Sequence, residues 1–111
     1  MEISVTSPER GGRTIVTVSG EVDVYTSSGL RKHLATLIDA DITDLVVDLT
    51  GVVFIDSTGL GVLVGALKKL RRVGGQLRLI INQAKVIKVF QITALTEVFT
   101  INDTLEAALI G

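Results

Sequence analysis

The sequence predicts an α/β fold: one domain over residues 1–111, built on a mixed, mostly parallel central sheet of about five strands with four helices, in the order β-β-α-β-α-β-α-β-α. Three observations lead there. Segments with the period-two, β-branched character of strands alternate with segments of helical period from residue 20 onward. The run Leu45-Val46-Val47-Asp48-Leu49 is too continuously apolar for an edge strand and reads as a central strand buried on both faces, as in a parallel sheet. Turn chemistry alone joins only the first two strands; each later pair is separated by a helix, which implies right-handed crossovers.

Taken in order, Ile3-Ser4-Val5 and Thr14 to Val18 are the first two strands, and Ser7-Pro8-Glu9-Arg10-Gly11-Gly12 supplies the proline and glycine turn of an antiparallel hairpin. After Gly20 the period changes. Thr26, Ser27 and Ser28 are candidate helix N-caps, and Leu30, Leu34, Leu37 and Ile38 share one face of an amphipathic helix. The central strand from Leu45 continues through Val52-Val53-Phe54-Ile55. From Leu60 the helical period returns: Leu60, Leu63, Val64, Leu67 and Leu70 form a stripe, Lys68, Lys69, Arg71 and Arg72 crowd the last turns where cations favour the helix dipole, and Gly74-Gly75 ends the element. Leu77 to Ile81 form a strand, Val86 to Phe90 a short helix, and Val98 to Ile101 a last short strand. Asn102 or Asp103 is expected to cap a final helix carrying Leu105, Ala108 and Leu109.

Composition removes most chemistry before any motif is read. Eleven basic and twelve acidic residues leave a formal charge of −1, which argues against a dedicated nucleic-acid binder. The longest uncharged run is the eleven residues from Ser57 to Leu67, short of the roughly 20 that cross a bilayer, so no membrane span is expected. Met1-Glu2-Ile3-Ser4 shows no basic segment leading into an apolar one, and the expected location is the cytoplasm. With no cysteine there are no thiolate sites, and His33, the single histidine, lies at the flank of its helix's apolar stripe.

The segment from Phe54 to Gly61 lies where a buried strand gives way to an amphipathic helix, the junction at which open α/β sheets tend to build sites. Asp56, Ser57 and Thr58 are each candidates to cap that helix, and a hydroxyl beside its free backbone N–H groups is well placed to accept a phosphate. The plain alternative is a helix cap followed by a tight turn at Gly59. Gly59, Gly61 and Gly65 are spaced one residue too long for the dinucleotide fingerprint, no Gly-Lys-Ser/Thr follows, and Ser57 lacks the preceding glycine of a hydrolase elbow. Gly61 and Gly65 are expected to permit close approach of backbone, from the sheet or from a partner. Charge divides at this point, with seven acids and two bases from Glu21 to Asp56, then seven bases and no acid from Ser57 to Thr96. That division reads either as solvated helix faces or as a polarised docking surface. Glu21 and Asp23 also follow a strand, so a parallel arrangement would bring them near Asp56.

These residues resemble the STAS domain family, and within it the bacterial anti-sigma factor antagonists. The resemblance is carried by Gly20-Glu21-Val22-Asp23, by the stretch from Asp48 to Gly61, and by Val89 to Leu95 with Glu106 to Leu109. It implies a single STAS domain with Ser57 as the phosphorylated serine and Thr58 as a second candidate. It further implies an unphosphorylated form that binds an anti-sigma factor and releases the sigma factor. That anti-sigma factor would be a serine kinase of the histidine-kinase-like ATPase fold, and a PP2C-type phosphatase would reverse the modification. ATP and Mg²⁺ would belong to the kinase, leaving this chain with no cofactor, no metal and no catalytic residue, as a monomer or weak homodimer. Within that resemblance, Asp23 and Asp56 would contact the kinase or orient Ser57, Thr58 would shape the loop, and Glu21, Thr26, Ser27, Gly59 and Gly61 would complete the partner surface.

Two other classes compete. A non-switching STAS scaffold, as in stressosome-type assemblies or lipid-transport ATPases, needs no phosphoacceptor at Ser57. A small serine hydrolase would need a base, and none is near Ser57 in sequence.

Overall fold

The computed structural model describes residues 1–6 and 12–110. Strands β1 (Glu2–Thr6), β2 (Thr14–Val22), β3 (Asp44–Ile55), β4 (Gln76–Ile80) and β5 (Thr100–Asn102) form one sheet in sequential order. β1 pairs antiparallel with β2, and every other neighbouring pair is parallel. Helices α1 (Ser27–Asp39), α2 (Ser57–Arg72), α3 (Ala84–Ile92) and α4 (Leu105–Ile110) complete the expected order, with a 3-10 turn at Leu95–Glu97. The turn expected at residues 7–12 falls largely outside the described residues.

Because each parallel strand is added on the same side of the one before, right-handed crossovers place α1, α2 and α3 on one face of the sheet. The main core lies there: Val16, Val18, Leu45, Val47, Leu49, Leu77 and Leu79 meet Leu30 and Leu34 of α1, Leu60, Leu63, Leu67 and Leu70 of α2, and Val86 and Phe90 of α3. α4 covers a smaller cluster of Ile15, Val46, Ile80 and Ala108. Arg13 holds α4 down by donating to the Leu109 carbonyl, while Asp44 lies 3.4 Å from Arg13 and 3.5 Å from Arg78.

Several elements depart from expectation for local reasons. β3 is buried on both faces only from Leu45 to Val47; beyond that Leu49, Val52 and Ile55 stay in the main core under the helices, whereas Val53 and Phe54 belong to neither cluster and are exposed. That exposure coincides with two irregularities in the β2–β3 register, between Thr17 and Ser19 and between Gly20 and Glu21. Such bulges re-aim side chains near sites. Gly51 is required at the bend, since a Cβ there would lie 2.9 Å from the Cβ of Ser19. β5 starts at Thr100 rather than Val98, because Val98 and Phe99 close the 3-10 turn and Phe99 packs edge-on against Phe90 at 5.9 Å. α4 is capped by neither Asn102 nor Asp103: the Thr104 hydroxyl accepts from the Ala107 N–H at 3.2 Å.

Candidate functional site

Two loops meet at the carboxyl ends of β2 and β3. Val22 pairs with Ile55, and the Asp56 N–H donates to the Val22 carbonyl at 3.2 Å, so Asp23 and Asp56 leave adjacent strands side by side. The expectation that a parallel sheet brings Glu21 and Asp23 beside Asp56 therefore holds for the backbone. Glu21, exposed, lies in register with Phe54.

Asp56 is the N-cap of α2. Its Oδ1 accepts from the Thr58 N–H at 3.0 Å, from the Gly59 N–H at 3.1 Å and from the Thr58 hydroxyl. The Thr58 hydroxyl does most to hold the carboxyl below the ordinary aspartate range; the Gly59, Thr58 and Val24 amides act in the same direction against some desolvation. The cap thus settles which of the three candidates serves. Thr58 is engaged as a donor, whereas Ser57, the first residue of the helix, is exposed and its hydroxyl makes no hydrogen bond among the described residues.

The β2–α1 loop is braced in a related way. Asp23 Oδ1 accepts from the Tyr25 N–H at 2.9 Å and the Thr26 N–H at 3.1 Å, while the Thr26 hydroxyl accepts from the Asp23 N–H and donates to the Glu21 carbonyl. Thr26 occupies the N-cap position of α1 but spends its hydroxyl on this loop, so no side chain caps that helix. Ser27 is 8% exposed, and the structure places its side chain inside rather than on the rim.

Gly59 is also buried, and not for a turn. A Cβ there would lie 2.7 Å from Val22 Cγ1 and 2.9 Å from Ile55 Cγ1, so the glycine lets α2 settle on the strand ends. Gly61 and Gly65 differ: a Cβ at either would meet nothing within 4 Å, which removes close approach to the sheet as their reason. Both are exposed and line a shallow cleft of about 210 Å³ between α1 and α2, beside Arg31, Ala35 and Lys69.

Sequence reasoning missed the apolar part of this region. Val24 (60% exposed), Tyr25 (88%), Val53 (59%) and Phe54 (50%) surround the two aspartates in sequence and reach solvent. Apolar residues beside a strand read as core, but Val24 and Tyr25 lie in the loop beyond the end of β2, and Val53 and Phe54 follow the β2–β3 irregularities. Among the described residues no group of His, Cys, Asp and Glu is arranged to hold a metal, and no helix is long and apolar enough to cross a membrane.

Comparison with known proteins places this geometry. A Bacillus subtilis protein described as an anti-sigma-B factor antagonist is 36% identical over 102 residues, covering 92% of this chain and 93% of that one. The crystal structure of an anti-sigma factor antagonist from Mycobacterium paratuberculosis matches with a TM-score of 0.85 at 28% identity, over 97% of this chain and 92% of that one. The Bacillus cell fate determinant SpoIIAA in its phosphorylated form has the same fold, with a TM-score of 0.73 at 23% identity and 96% of each chain covered. Residues 4–108 match the STAS domain, and with that match spanning nearly all of the described sheet and helices, the chain belongs to the STAS domain family.

Proposed function

We propose that the chain is an anti-sigma factor antagonist switched at Ser57. In its unphosphorylated form it binds an anti-sigma factor that is also a serine kinase of the histidine-kinase-like ATPase fold, and the sigma factor is released. Phosphorylation of Ser57 dissociates the complex, and a PP2C-type phosphatase restores the binding form. The chain contributes no catalytic group; ATP and Mg²⁺ are held by the kinase, in the cytoplasm.

The observation that carries this reading is the division of labour at the head of α2. Asp56 caps the helix, Thr58 is tied to Asp56, and Ser57 alone presents a free hydroxyl to solvent. Its neighbours are acidic: Asp56 is held ionised, and Glu21 and Asp23 belong to the adjoining strand end. A phosphate adds about −1.5 to −2 charges at that point, enough to oppose any partner whose surface is matched to the unmodified one. The relatives' description as anti-sigma factor antagonists supports the partner class. The phosphorylated SpoIIAA fold supports a switch that leaves the architecture intact. A non-switching scaffold would have no use for the free hydroxyl.

The test is to incubate the protein with its cognate kinase and Mg-ATP and to map the product by mass spectrometry. Phosphate is expected on Ser57; phosphate confined to any residue other than Ser57 or Thr58 would overturn the assignment. Ser57→Asp is expected to abolish binding to the anti-sigma factor while leaving the circular dichroism spectrum unchanged.

A further inference from the structure

We propose that Tyr25 and Phe54, flanked by Val24 and Val53, are the apolar anchors by which this face grips its partner, and that the complementary surface is an apolar pocket rimmed by arginine or lysine. The inference rests on the functional reading above and adds the chemistry of the contact. Of nine large apolar side chains exposed among the described residues, these four come from just two short segments, and both segments lie at the carboxyl ends of the neighbouring strands β2 and β3. None belongs to either core cluster, so the fold does not account for their presence.

Their setting is that of an interface rather than of loose loops. Tyr25 sits on a turn fixed by the Asp23 carboxylate, which accepts both its N–H and that of Thr26, and the Thr26 hydroxyl ties the turn back to the Glu21 carbonyl. A ring presented on a fixed turn loses little freedom on binding, which is why tyrosine recurs among the residues that dominate interfaces. Phe54 is held in the β2–β3 pairing opposite Glu21. The two segments that carry these rings also carry three carboxylates: Glu21 in register with Phe54, Asp23 accepting from the Tyr25 N–H, and Asp56 two residues beyond Phe54. A partner that covers the rings must neutralise those acids, and this fixes the sign of its rim. Ser57, immediately after Asp56, lies at the border of the apolar contact, where a dianion would have to be desolvated for the grip to close.

The experiment compares wild type, Tyr25→Ala, Phe54→Ala and Tyr25→Phe as substrates of the cognate anti-sigma factor kinase with Mg-ATP. Each alanine variant is expected to raise KM for this protein at least about tenfold and to change kcat by less than about twofold, because the ring binds but does not react. Tyr25→Phe is expected to restore most of the loss, and the thermal midpoints should match wild type because both rings are outside the core. Unchanged KM in both alanine variants, with wild type still phosphorylated on Ser57, would overturn the anchors and leave the functional reading standing. So would a fall in kcat at unchanged KM. A wild-type protein that the kinase neither binds nor phosphorylates would overturn the functional reading, and the anchors with it.

Discussion

Three glycines in the same helix are expected to respond in opposite directions to the same substitution. A Cβ on Gly59 would stand 2.7 Å from Val22 Cγ1, 2.9 Å from Ile55 Cγ1 and 3.0 Å from the Val22 carbonyl oxygen. Ordinary carbon contacts begin near 3.5 Å, so either the head of α2 lifts by about 0.5–1 Å or two buried side chains leave their rotamers. Val22 is fully buried and Ile55 nearly so, which leaves neither much room. Three such contacts at once put the overpacking cost in the upper part of its usual range, about 2–3 kcal/mol, and the better helix propensity of alanine returns about 1 kcal/mol. Gly59→Ala should therefore lose about 1–2 kcal/mol, a fall of roughly 4–12 °C in Tm for a domain of this size. At Gly61 and Gly65 a Cβ enters open space. There the propensity term stands alone, and alanine should gain about 0.5–1 kcal/mol at each. Calorimetric melts together with urea titrations measure all three. A Gly59→Ala protein as stable as wild type, or a Gly61→Ala protein less stable, would refute the packing argument.

The remaining expectations concern charge. NMR titration should find the Asp56 carboxyl below its ordinary value of 3.8, and Thr58→Val should raise it, since the Thr58 hydroxyl is the largest cause of the depression. A depressed folded-state value means that the carboxylate's contribution to stability is present above the unfolded value and is lost as pH falls through the folded one; Thr58→Val should narrow that acid window. Arg13→Ala removes the donor to Leu109 and one cation beside Asp44, and should cost about 1–3 kcal/mol. Amide exchange should then rise first in Leu105–Ile110; uniform exchange across the chain would show that Arg13 does not hold α4.

The order of elements was legible because each depends on local chemistry. The apolar run from Leu45, the stripe from Leu60 and the glycine pair at Gly74 and Gly75 each state a period or a stop, and topology follows once helices separate the strands. Burial was less legible. β3 reads as one uniform strand, yet only its first half is covered on both faces: Val52 and Ile55 stay in the main core while Val53 and Phe54 lie outside both clusters, and nothing in Val52-Val53-Phe54-Ile55 itself marks the change. The cap of α4 fell to Thr104 rather than to Asn102 or Asp103 because β5 runs through Asn102, and strand pairing takes precedence over side-chain preference there. At the site, residue types could not separate Asp56, Ser57 and Thr58, all of them good caps. The decision rests on which oxygen reaches the Thr58 and Gly59 amides, and that is fixed by where β3 ends against Val22.

That decision also bears on what a phosphate at Ser57 would do. A helix N-terminus ordinarily offers free N–H groups to an anion, and a phosphate added to its first residue can fold back onto them. Here Asp56 already holds the Thr58 and Gly59 amides, with its own carbonyl receiving the Leu60 N–H. A Ser57 phosphate has to displace the cap or stay outside it. Displacement would release Asp56 and free the Thr58 hydroxyl, the main cause of its low pKa. Staying outside keeps those bonds and adds only a like charge. Either outcome raises the Asp56 pKa, so the titration alone does not separate them, but the amides do. With the cap retained, the Thr58 and Gly59 N–H resonances should shift little on phosphorylation and stay protected from exchange. Large shifts with loss of protection would mean that the phosphate replaces Asp56. We expect the first result, because a carboxylate fixed by three donors on its own short loop is already in place, whereas the phosphate would have to bend back from the exposed side of the helix to reach them. The new charge then faces outward, toward the partner.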